Sequence, residues 1–151
     1  MNRARISATR TFIMRRIGTL SLLTLTLLLA ACVPSKKEKD LDSRLLQYEQ
    51  MIRWSQWDGA AGFIAPEYLE ENPISNLDME RLRLFRVTNY TIRSASPLGE
   101  GNEFAQVVQI SMFNRHQAVE RQIIDQQLWR WDEESEVWLL HSGLPDVLQR
   151  Y

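Results

Sequence analysis

"FRVTNYTI", residues 85–92, is where the periodicity of this chain changes. Upstream, apolar residues recur every three or four positions. From Phe85 onward, β-branched and aromatic residues crowd together. Such side chains suit a pleated, half-buried surface, so the octet reads as a strand. Before it, Leu41, Leu45, Tyr48 and Ile52 follow at spacings of 4, 3 and 4, which is one face of a helix, with Trp54 near its edge. That helix is expected to open near Asp40 or Asp42, whose carboxylates can accept from the free amides of a first turn. A second helix is expected over residues 57–64. Pro66 limits it, because the residue before a proline is pushed out of the helical region. A third is expected over residues 77–84, capped by Ser75 or Asn76.

Beyond the octet, "PLGEGN" at residues 97–102 supplies turn chemistry. Phe104, Val108, Ile110 and Met112 then mark one face of a second strand, interrupted by Gln106. A third strand is expected over residues 119–131. The acidic link Asp132, Glu133, Glu134, Ser135, Glu136 leads to a fourth over residues 137–142. Helices followed by hairpin-linked strands indicate the α+β class. The expected architecture is N-terminal helices packed on one face of a bent antiparallel sheet of about four strands.

The first sixteen residues carry five arginines (Arg3, Arg5, Arg10, Arg15 and Arg16) and no acidic residue, and residues 17–31 carry no charge. A basic start followed by an apolar run is the organisation of a secretory signal. Fifteen helical residues cover roughly 22 Å, short of a hydrocarbon core of about 30 Å, so a signal is favoured over a transmembrane span. The run ends in Leu29, Ala30, Ala31 and Cys32, which resembles the lipobox of bacterial lipoproteins. The resemblance implies cleavage between Ala31 and Cys32 and acyl chains on Cys32 that hold the protein to a membrane. It is the only cysteine, so a disulfide has no partner within the chain. Two or more acyl chains anchor stably where one is marginal. Val33 stands where the family's enterobacterial sorting rule places Asp for inner-membrane retention. The expected location is therefore the cell envelope, at the outer membrane and facing the periplasm.

The expected organisation is a signal over residues 1–31, a lipidated cysteine and tether over 32–40, and a single α+β domain over 41–151. Removing the signal leaves 120 of the 151 residues, enough for one core and too few for two. Thirteen Lys and Arg then face nineteen Asp and Glu, a net charge near −6. That argues against nucleic acid as a partner.

Two segments resemble nuclear-transport-factor-2-like domains. "WSQWDGAAGFIAPEYLE", residues 54–70, is similar to that superfamily's opening helices, with an Asp-containing turn before an Ala-rich helix that ends in Pro. "LWRWDEESEVWLLHSGLP", residues 128–145, is similar to its closing hairpin, although Glu134 and Ser135 stand where many relatives carry a glycine turn. The resemblance implies a cone-shaped sheet around a pocket, used by different members for binding, dimerisation or catalysis. Fold alone does not choose among these.

The residues that could line such a pocket are Tyr90, Asp125, Trp129, Trp131 and His141. Asp125 interrupts an apolar strand. Facing an apolar interior, its carboxyl would titrate high and serve as a general base. The strand's alternation is read instead as turning Asp125 outward with Arg121 and Gln127. Trp129 and Trp131 share a face if the strand is regular. His141 lies on the last strand, and His116 lies in a turn as an exposed loop residue. Two separated histidines with no cysteine partner form no metal motif, and no cofactor fingerprint occurs. The expectation is a lipid-anchored accessory protein that binds an envelope protein partner without catalysis, with a homodimer left open. A small-ligand carrier or sensor using the cone is the alternative. An isomerase- or hydrolase-like enzyme built on Asp125 with Tyr90 or His141 ranks after it.

Overall fold

The computed structural model describes residues 35–117 and 119–147. The signal, the cleavage site at Ala31 and the acylation site at Cys32 lie outside the described residues. Four helices precede four strands: α1 Lys36–Arg53, α2 Trp57–Ala61, α3 Pro66–Glu71, α4 Asn76–Arg83, β1 Phe85–Leu98, β2 Glu103–Asn114, β3 Glu120–Asp132 and β4 Val137–Leu140. The strands form one antiparallel meander in the order β1-β2-β3-β4. The chain is therefore α+β, with helices first and the sheet after them.

α1 turns Tyr48 and Ile52 fully inward, with Leu41 and Leu45 packed against the same core. It opens earlier than expected. Lys36 to Asp40, read as tether, form its first turn because β4 holds them in place. The indole N–H of Trp138 donates to the Lys37 carbonyl at 3.0 Å, and the Trp138 backbone N–H donates to the Asp40 carboxylate at 3.1 Å. These five charged residues lack apolar periodicity, but Lys and Glu favour helix and Ser35 and Glu38 have the spacing of a capping box. Partners some hundred residues away then fasten the turn to the sheet.

α2 ends at Ala61, three residues before the expected boundary, and α3 begins at Pro66. Proline stops a helix that precedes it. Its fixed φ and missing N–H also make it a good first residue for the next one. α4 is capped as expected, with Ser75 accepting from the Asp78 amide at 3.1 Å.

The helices cover one face of the sheet. Val108, Ile110 and Met112 of β2, Ile123 and Trp129 of β3, and Trp138 and Leu140 of β4 form the core together with Tyr48, Ile52, Trp57 and Phe63. Two register shifts on β1, after Val87 and after Ile92, bend that edge strand. The other edge is covered. Residues 63–65 run parallel beside β4, with Ala65 donating to Leu140 at 2.9 Å and Leu140 donating to Phe63 at 2.8 Å.

Candidate functional site

The inner face of the sheet carries a buried polar cluster. Tyr90 comes from β1, Gln106 from β2, and Asp125, Gln127 and Trp129 from β3, while Tyr48 descends from α1. Register brings them together. Gln106 stands opposite Gln127, and Val108 stands opposite Asp125. The Gln127 amide nitrogen donates to Asp125 Oδ2 at 2.7 Å and to the Tyr90 hydroxyl at 3.0 Å. Gln106 Nε2 reaches the same hydroxyl at 3.3 Å and Gln127 Oε1 at 3.4 Å. Trp129 Nε1 also reaches Gln127 Oε1, at 3.4 Å. Gln127 is the hub, because its amide offers donors and an acceptor at once.

Asp125 faces inward, which corrects the expectation. Asp125, Gln127 and Arg121 do share one face, but it is the face toward the helices: Asp125 is 7% exposed and Gln127 3% exposed. Ile123 and Trp129, on that same face, take it into the core. Arg121 closes the end of the row, its guanidinium 5.4 Å from the centroid of the Phe85 ring. Burial pushes the Asp125 carboxyl up to about 6, opposed by the hydrogen bond from Gln127. Burial likewise raises the Tyr90 hydroxyl to about 12, with the Asp125 charge adding to it. Tyr48 is raised well above the usual tyrosine range by burial, then by the charges of Asp125 and Tyr90.

The other predicted residues separate. Trp129 is fully buried and packs edge-on against Tyr48 at 5.4 Å, and Phe63 completes the group at 5.7 Å from Tyr48. Trp131 is only partly buried and belongs to a different place, 6.0 Å from Trp138 and beneath Lys37. His141 lies just past β4, alternating with the inward Leu140. Its Nε2 stands 3.4 Å from Glu67, and burial lowers its pKa. His141 is hydrogen-bonded through its backbone N–H to the Leu128 carbonyl at 2.7 Å, and no described interaction links it to Asp125. His116 is exposed in the turn over residues 115–117.

Asp125 is hydrogen-bonded to Gln127 and lies near enough to Tyr90 and Tyr48 for its charge to raise both hydroxyls. Four surface grooves of about 240, 380, 210 and 160 Å³ lie elsewhere, and neither Tyr90 nor Asp125 lines any of them. The largest two meet at Pro73 and Ile74. One continues to Leu82, Leu144 and Val147, the other to Ala61, Leu69 and Met79. Among the described residues, no group of three His, Cys, Asp or Glu side chains is placed to hold a metal ion. No described helix is long and apolar enough to cross a membrane.

No family model matches this chain, and no curated protein does. Among solved structures, the chain is similar to the solution structure of a SEC-C motif containing protein from Rhodopseudomonas palustris. The TM-score is 0.48 at 12% identity, covering 72% of this chain and 77% of that chain. A likeness of that size carries no argument about function.

Sequence reasoning missed Tyr48, Gln106 and Gln127 as members of the cluster. The signal was present in Gln106, a polar residue on the inward side of an otherwise apolar strand. A buried amide needs partners, so a second inward polar residue on the neighbouring strand is required.

Proposed function

We propose that this protein is a lipid-anchored accessory domain of the bacterial envelope that binds a protein partner through its surface and performs no catalysis. The burial of the Asp125 cluster carries this reading. A carrier or an enzyme working inside the cone needs room beside Asp125, and Asp125 is buried with Gln127 hydrogen-bonded to it, in a core that includes Tyr48, Tyr90 and Trp129. A general base also needs access to a substrate proton. Asp125 is held by Gln127 and is buried. The grooves that meet at Pro73 and Ile74 are open to the surface, and Leu77 beside them is 54% exposed. Surface recognition is the use these features favour.

The lipobox at residues 29–32 supports anchoring through acyl chains on Cys32, and Val33 supports placement at the outer membrane facing the periplasm. Helices preceding a bulged antiparallel sheet support the resemblance to nuclear-transport-factor-2-like domains. The test is native mass spectrometry of the acylated protein, extracted in mild detergent from its own membranes. A stoichiometric second protein is expected, and its loss when Ile74 and Leu77 are changed to Asp would place it on this surface. A monomer carrying bound small-molecule mass would transfer the reading to the carrier alternative.

A further inference from the structure

The first turn of α1 is fastened to one end of the sheet. Lys36 pairs with Glu136, and Lys37 donates to the side chain of Asn102. The Lys37 ammonium lies 5.4 and 5.5 Å from the ring centroids of Trp131 and Trp138, while its carbonyl accepts from Trp138. Asn102 belongs to the turn joining β1 to β2, and its carbonyl accepts from the Trp131 amide at 2.9 Å. Glu136 belongs to the turn joining β3 to β4. In an antiparallel meander these two turns share one end of the sheet. The turn over residues 115–117, joining β2 to β3, lies at the other.

We infer that acylation of Cys32 holds the domain upright on a phospholipid surface, with the turns at residues 99–102 and 133–136 toward the lipid and the turn at 115–117 away from it. The inference rests on the lipoprotein reading. Three residues separate Cys32 from Lys36, so the chain reaches at most about 14 Å between them at ~3.5 Å per residue. β2 has twelve residues, which at about 3.3 Å each span roughly 40 Å along the strand. The two ends of the sheet therefore stand at different heights. A free tether of eight residues would let the domain tumble, whereas a docked first turn leaves too little slack.

Attraction to anionic lipid does not create this posture. The lipid-facing end carries Glu100, Glu103, Glu133, Glu134 and Glu136 against Lys36, Lys37, Lys39 and Arg130. With no excess of positive charge, the orientation persists in salt and on uncharged lipid.

The experiment uses the full acylated protein in phosphatidylcholine vesicles containing a nitroxide on the lipid headgroup. Single reporters are attached at Glu134→Cys or His116→Cys, both exposed turn positions. Quenching at residue 134 is expected to exceed that at 116 by at least threefold, at low and high salt alike. Inserting a flexible linker of about eight residues between Ser35 and Lys36 is expected to bring the two values together. Equal or reversed quenching in a chain whose intact mass shows the acyl groups overturns the orientation alone. A persisting difference after the insertion also overturns it, because the domain surface itself would then be binding lipid. A mature chain with no acyl mass overturns the lipoprotein reading and the orientation with it.

Discussion

Gln127 donates to the carboxylate of Asp125 at 2.7 Å, two residues away on the same inward face of β3. The bond satisfies a charge that burial would otherwise leave without a partner, yet it does not offset the cost of desolvation. The carboxyl is raised from the ordinary 3.8 to about 6. Asp125 is thus a group whose ionisation the fold opposes.

The sign of its pH effect follows. Between pH 4 and 6 the folded state binds a proton that the unfolded state has released, so stability falls as pH rises through this window and levels off above it. The difference between 3.8 and about 6 corresponds to roughly 3 kcal/mol at ~1.36 kcal/mol per pH unit. Asp125→Asn is expected to flatten this slope and to stabilise the protein at pH 7 by about 1–2 kcal/mol. Its carbonyl can still accept from Gln127, and no charge remains to desolvate. Urea unfolding of both proteins from pH 4 to 8 measures it. Parallel pH profiles would contradict the assignment.

Tyr48 and Trp129 pack edge-on at 5.4 Å but should respond differently to truncation. The Tyr48 hydroxyl is buried without a hydrogen-bond partner. Tyr48→Phe is therefore expected to be neutral or stabilising by up to about 1 kcal/mol. Trp129→Ala opens a large cavity and is expected to cost about 3–5 kcal/mol. Denaturant midpoints at constant slope distinguish the two.

Gly143 adopts φ +74°, and a Cβ there would meet the Tyr68 ring at 3.3 Å. Backbone strain and crowding act together. Gly143→Ala is expected to cost about 1–3 kcal/mol and to loosen α3, seen as faster amide exchange in the helix that carries Tyr68.

Trp138 joins the start of α1 to β4 through its ring and its backbone. Trp138→Phe keeps most of the packing and removes the donor to Lys37. A loss of about 1 kcal/mol is expected, with amide exchange in the first two turns of α1 rising well above that of its last turns.

The amino-acid sequence by itself determined the local elements. Leu41, Leu45, Tyr48 and Ile52 could only form one helical face. Ser75 could cap α4 because its hydroxyl lies within reach of an amide three residues on. The β-branched run at Phe85, the glycine turn after Leu98 and the acidic link before Val137 divided the rest into four strands, although the first runs on to Leu98, six residues past the expected octet. Each depends on neighbours a few residues apart, which local chemistry decides. Which face of β3 is inside depends on where the helices lie. Alternation alone grouped Asp125 with Gln127 and Arg121 but could not turn that row inward. Tertiary structure decided it, since Gln106 on the adjacent β2 and Tyr90 on β1 beyond it provide the hydrogen bonds that make burial tolerable. It likewise decided that the turn over Lys36 to Asp40 is fastened to the sheet, because Trp138 and Glu136 are partners that no neighbour along the chain could supply. It also decided that Tyr48 of α1, Phe63 of the segment after α2 and Trp129 of β3 pack edge-on against one another.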